Sequence, residues 1–210
     1  PIPWLIEKET MDCDESPMLS QQPCLVKNNP RIIDLLMINH ENIVAVVKDL
    51  DKCSGIVLDL TSLPNMNDAE IEALLVSLTS KMRENSLVLL KDRVDRVENL
   101  FRLIMELNLD GAIIDAASSG GSRASAALPK IGLAARAMNI VEQGRHLMIE
   151  LDECPSAEDF IIAKGAGCSL IVAPETDENL EETLVWLNSG LKGWMIDLGI
   201  ESIEGITRRN

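Results

Sequence analysis

Gly111-Ala112-Ile113-Ile114-Asp115 is a short apolar run, opened by a glycine and closed by a carboxylate. The same texture recurs in Gly55-Ile-Val-Leu-Asp59, Leu87-Val-Leu-Leu-Lys91, Leu147-Met-Ile-Glu150 and Ser169-Leu-Ile-Val-Ala173, and less regularly from Ile32 to Ile38. Continuous apolar runs this short, bounded by polar residues, fit strands buried on both faces, as in a parallel sheet. Between them the period becomes helical. Ile43, Val46, Val47 and Leu50 share one stripe of Glu41 to Leu50. Ile71, Leu74, Leu75 and Leu78 share another, behind an Asn67 or Asp68 cap and running to Arg83. Val97, Leu100, Phe101, Ile104 and Leu107 line Val94 to Leu107. Ser156-Ala-Glu-Asp159 has capping-box spacing and predicts a helix to Lys164. Thr176 or Asp177 opens a further helix carrying Leu180, Leu184 and Leu187.

Strand and helix thus alternate at least five times, which implies right-handed crossovers and an α/β fold. An open doubly wound sheet and a (β/α) barrel both satisfy the pattern. A complete eightfold barrel usually takes about 250 residues, with roughly 200 as its floor. The 210 residues here therefore suit a partial barrel better than a full one. Pro1, Pro3, Pro17, Pro23 and Pro30 punctuate the first thirty residues, and Met11 to Ser16 is polar. That stretch reads as an arm covering the body.

The composition removes several classes of function. With 46% hydrophobic residues and a mean hydropathy of +0.09, the chain folds around a core. Its 34 acidic against 19 basic residues give a net charge of −15. That balance repels nucleic acid and anionic lipid alike. No Tyr, two Phe and three Trp leave little for base stacking. No apolar run reaches the length of a membrane span. No basic region followed by an apolar stretch opens the chain, so a cytoplasmic protein is expected. Five cysteines, Cys13, Cys24, Cys53, Cys154 and Cys168, form no Cys-x-x-Cys pair, which argues against a disulfide framework and a zinc ribbon. Cys168 opens an apolar run and reads as a core filler. His40 and His146 have no carboxylate or thiol at ligand spacing, so no metal site is expected.

The strand runs end in charge: Asp59, Lys91, Asp115, Glu150 and, slightly later, Glu175. The carboxyl ends of parallel strands converge on the face where α/β folds bind ligands. Any one of these charges can simply mark where polarity resumes; the set of five points to a polar pocket. Lys91 stands alone as a cation among them. It can hold an anion, act as a Schiff-base amine if desolvated, or form a plain salt bridge to Asp59 or Asp115. After the strand ending at Asp115 comes Ala116-Ala-Ser-Ser-Gly-Gly-Ser-Arg-Ala-Ser125. Its glycines allow close backbone approach to a phosphate or carboxylate, and Arg123 adds a bidentate donor. A Gly-Ser loop that merely turns the chain fits equally. It is neither a Walker nor a dinucleotide fingerprint.

Asp110-Gly-Ala-Ile-Ile-Asp115 with Gly120-Gly121-Ser122 resembles the strand and glycine-rich loop of the FMN-binding domain of glutamate synthase. Leu128-Pro129 to Arg136-Ala137 is similar to the helix that follows that loop in the family. Val88-Leu-Leu-Lys91 falls where the family's flavin-contacting lysine strand lies, and Leu198 to Arg209 resembles its C-terminal tail. The resemblance implies a partial or degenerate (β/α)8, TIM-type barrel with parallel strands over residues 31–210, behind an N-terminal arm of residues 1–30. It implies Lys91 and Asp115 as catalytic residues, and Lys91, Ser119, Gly120, Gly121, Ser122 and Arg123 as FMN-binding residues. Departures accompany it. The stretch at the family's phosphate loop reads Leu151-Asp-Glu-Cys-Pro-Ser156, whose carboxylates would repel a phosphate, and no iron–sulfur cysteine cluster follows. The first barrel strands also have no counterpart in the sequence pattern.

The expectation is therefore a degenerate relative of that FMN domain, working by assembly or by binding a small anion at Ser118 to Ser125. Two enzymatic alternatives stand beside it: an active FMN-dependent oxidoreductase, and a Schiff-base lyase or aldolase using Lys91. A barrel short of strands leaves open sheet edges, so a homo-oligomer or a larger partner chain is expected.

Overall fold

The structure, a computed structural model, describes residues 5–8, 18–19, 35–51, 53–116, 124–174 and 180–206. Its strands are β1 (Leu5–Lys8), β2 (Met18–Leu19), β3 (Leu35–Ile38), β4 (Gly55–Asp59), β5 (Leu87–Arg93), β6 (Gly111–Asp115), β7 (His146–Glu150) and β8 (Leu170–Pro174). Its α-helices are α1 (Asp68–Thr79), α2 (Val97–Glu106), α3 (Ala124–Ala137), α4 (Ala157–Ala166) and α5 (Leu180–Asp197). From β3 to β8, six strands lie side by side in chain order, every neighbouring pair parallel. α1 to α4 fill the successive connections from β4 to β8. Of the two architectures that the alternation allows, this is the partial (β/α)8 barrel.

The two edges of this arc do not stay open, contrary to the expectation from the strand count. β1 pairs in parallel with β8, from Leu5 opposite Ile171 to Lys8 opposite Pro174. β2 then bridges antiparallel to β1 and β3, through Lys8 opposite Leu19 and Met18 opposite Leu36, so that the ladder runs round as a ring. The missing strands come from the arm. They were hidden because two to four residues carry no readable period, and their value lies in pairing with distant partners. The reversed β2 is what makes the barrel irregular.

Alternation along each strand sorts the core into two layers. Leu35, Val57, Leu89, Ile113, Met148 and Val172 point into the lumen and form one buried cluster. The residues between them, such as Ile56, Leu90, Ile114 and Ile149, point outward against the helices and join Leu75, Phe101, Ile131 and Phe160. Both faces are dry, so the strands read as unbroken apolar runs.

Local chemistry sets the helix starts. Asn67 accepts from the Glu70 N–H while Glu70 reaches back to the Asn67 N–H, a complete capping box. Ser156 and Asp159 do the same for α4, with aspartate serving in place of glutamate. The helix expected over Glu41 to Leu50 is absent. That segment is turns and a short 3-10 helix, Val46–Lys48. Asn39 Oδ1 accepts from the N–H groups of Glu41 and Asn42, and the Asn42 amide donates to the Met37 carbonyl. These side chains satisfy the backbone locally and displace the α-helical pattern despite its apolar stripe. α1 also stops at Thr79, short of the expected Arg83.

Candidate active site

Period two carries the lumen-facing set upward from the apolar layer. Two residues beyond Val57, Leu89, Ile113 and Met148 stand Asp59, Lys91, Asp115 and Glu150, on four adjacent strands. All four therefore enter the lumen at its carboxyl end, above the dry layer. All are buried: Asp59 is 8% exposed, Asp115 7%, Lys91 5% and Glu150 1%. The strand-end charges thus converge as the sequence predicts. Glu175 lies outside the described residues, as do Ser119, Gly120, Gly121, Ser122 and Arg123 of the loop after β6.

Lys91 Nζ lies 2.7 Å from Glu150 Oε2. The sequence reading had offered Asp59 or Asp115 as its salt-bridge partner; the pair is instead made two strands away. The reason is reach. A lysine on β5 leaning toward the barrel axis meets a glutamate on β7, whereas Asp59 on β4 is held by Thr61. Burial pulls the Lys91 pKa down, but Glu150 at hydrogen-bond distance, with Asp59 and Asp115 behind it, more than compensates and holds it above the ordinary lysine value. At neutral pH Lys91 is an ammonium.

Asp59 is held separately. Its Oδ1 accepts the Thr61 N–H at 2.9 Å and the Thr61 hydroxyl at 2.6 Å, while the Ser62 hydroxyl donates to its carbonyl. The carboxylate therefore has a set orientation at the end of β4.

The sequence reading missed Asp92. It follows Lys91 on β5, so alternation turns it out of the lumen, where it is 1% exposed. Its Oδ1 accepts the Arg93 N–H at 2.8 Å, and Oδ2 lies 3.3 Å from Arg96 Nε. Burial raises its carboxyl above the ordinary aspartate range, and these donors only partly offset that. The signal that could have found it was the unbroken strand parity from Leu90. Cys168 is the expected core filler: it is 2% exposed, and burial pushes its thiol up to about 12. His40 and His146 are both exposed. Among the described residues, no group of three or more His, Cys, Asp or Glu is arranged to hold a metal, and no helix is long and apolar enough to cross a membrane.

No family model matches the chain, and no curated protein sequence matches it. Solved structures do share its architecture. The type I 3-dehydroquinate dehydratase of Clostridium difficile, solved with a covalently modified comenic acid, is 12% identical over 76% of this chain and 69% of its own, with a TM-score of 0.50. DHDPS of Cyanidioschyzon merolae, solved with lysine bound, is 15% identical over 71% of this chain, with a TM-score of 0.48. The chain spans only 52% of that DHDPS. The resemblance to the FMN domain of glutamate synthase is corrected by this comparison: the structure that shares the fold at a TM-score of 0.50 is a type I 3-dehydroquinate dehydratase, not a glutamate synthase domain. The motifs behind that resemblance are strand, turn and helix signals common to (β/α) units, and such signals report architecture. The FMN and oxidoreductase expectations drew on the same resemblance, and these structures lend them no support. What the likeness to the dehydratase establishes is the fold, a TIM-type barrel of which this chain forms an irregular version.

Proposed function

We propose that the barrel mouth is a carbonyl-processing site of the lyase or aldolase class, with Lys91 forming a Schiff base to its substrate. The observation that supports this is a buried lysine 2.7 Å from a buried glutamate, on the lumen face at the carboxyl ends of the strands. The Lys91 ammonium first passes a proton to Glu150. The freed amine attacks the substrate carbonyl carbon, forming the C–N bond. The oxygen takes one proton from the attacking nitrogen and a second from Glu150 and leaves as water, so that a protonated imine with one remaining N–H stands on Lys91. Charge and atoms balance with no other reactant. The dry layer of Leu89, Ile113 and Met148 beneath keeps water from the lower side.

The upward pKa of Lys91 favours a second reading, because a Schiff-base amine must be neutral when it attacks. In that reading the pair is a structural plug and the barrel acts without covalent chemistry. Borohydride reduction separates the two. The full chain is incubated with glycolaldehyde, dihydroxyacetone or pyruvate, reduced, and its intact mass measured. A stable adduct that maps to Lys91 and disappears in Lys91→Ala supports the lyase class. Unmodified protein with every probe supports the plug.

A further inference from the structure

We infer that Asp59 is the second acid–base group of this site, removing and returning the proton on the carbon next to the imine, with Thr61 as its positioning residue. The inference rests on the Schiff-base reading of Lys91. Glu150 is committed to the amine: it sits at 2.7 Å from Lys91 Nζ and is 1% exposed, the most enclosed of the four charges. Asp59 differs on each count. It is the direct register partner of Lys91 on the neighbouring strand, so its Cα lies beside that of the lysine. At 8% exposure it is more open than Lys91 at 5% and Glu150 at 1%. Among the described residues, Lys91 makes its ion pair with Glu150 and not with Asp59. Both Thr61 donors fall on Oδ1, which fixes the plane of the carboxylate. Among the described residues, neither of these bonds uses Oδ2, the oxygen we assign to the substrate proton.

The chemistry asks for such a group. A protonated imine draws electrons from its neighbouring carbon and makes that C–H acidic. Asp59 takes the proton; the C–H electron pair becomes the C=C bond of an enamine, and the imine nitrogen loses its positive charge. Return of the proton from the Asp59 carboxyl reverses the step. A base separate from Glu150 lets the amine and the carbon be protonated independently.

The experiment uses the full chain in D2O with dihydroxyacetone, following C–H to C–D exchange by NMR and running borohydride trapping with the same probe in parallel. Wild type is expected to give both signals. Asp59→Asn should keep the adduct and lose exchange by about 100-fold or more, within the usual contribution of a general base. Thr61→Val should slow exchange and shift its pH profile, and Thr61→Ser should restore both; these variants carry the test if Asp59→Asn does not fold. Exchange at the wild-type rate in Asp59→Asn or in Thr61→Val, with the adduct intact, overturns the role of Asp59 and leaves the Lys91 reading standing. Loss of adduct and exchange together in folded Asp59→Asn also overturns it, since Asp59 would then serve the amine. Absence of any adduct in wild type removes the Schiff-base reading itself, and this inference with it.

Discussion

Lys91 and Glu150 meet at 2.7 Å although β6 runs between their strands. The pair therefore spans the lumen mouth and does not follow the sheet surface, closing the apolar layer below with two buried opposite charges. Breaking such a pair by removing one partner leaves a charge without compensation in a dry setting. Lys91→Met or Glu150→Leu alone should destabilise by about 3–5 kcal/mol, whereas the double variant, which fills the space with apolar atoms, should recover most of that loss. Urea denaturation of the four proteins checks this. Additive costs in the double variant would show that the charges do not act as a pair.

The same pair makes stability depend on alkaline pH in a defined direction. The folded pKa of Lys91 is raised, so its contribution is fully present below the unfolded lysine value, about 10.4, and is lost as pH rises through the higher folded value. The stability gap between wild type and Lys91→Met should stay level from about pH 7 to 10 and narrow beyond that. Urea midpoints across this range give the answer.

Asp92 should behave with the sign of a carboxyl whose folded pKa is raised. Its contribution is present below the ordinary aspartate value and is lost as pH rises through the folded one. Wild type should therefore gain stability relative to Asp92→Asn as the solution is acidified toward about pH 3, where the carboxyl is protonated in both states. Thermal melts of both proteins at neutral and acid pH measure the change in the gap.

Gly111 opens β6 at a point of close strand contact. A Cβ there would strike the carbonyl oxygen and carbon of His146, which are backbone atoms of β7 and cannot rotate away. Gly55 on β4 is similarly tight, with a Cβ meeting the Leu87 oxygen at 2.6 Å. Gly111→Ala should cost about 1–3 kcal/mol or more by forcing the two strands apart. A melting temperature equal to that of wild type would show that the barrel can widen at this end.

The sequence alone determined the repeating units and one face of the site. Gly55 to Asp59 and Gly111 to Asp115 are strands with the bounds read from their apolar runs, and Asn67 and Ser156 cap the helices that their spacing predicts. These are local signals, carried by neighbouring residues and by backbone hydrogen-bond needs within a few positions. The convergence of Asp59, Lys91, Asp115 and Glu150 was legible too, because parallel strands place their ends together whatever the exact closure. Only the tertiary structure decided how the ring closes and which charges touch. Leu5–Lys8 finds β8 more than 160 residues away in sequence, and nothing in a four-residue segment names so distant a partner. Lys91 pairs with Glu150 and not with the nearer aspartates because strand periodicity sets the face of a side chain, while side-chain length and lumen width set its reach. Asn39 and Asn42 displaced a helix that apolar spacing predicted, since their amides compete for the same backbone groups. The family resemblance failed for a related reason. Short strand–glycine–helix motifs report the geometry that every (β/α) unit requires, and that geometry is shared far more widely than any one chemistry.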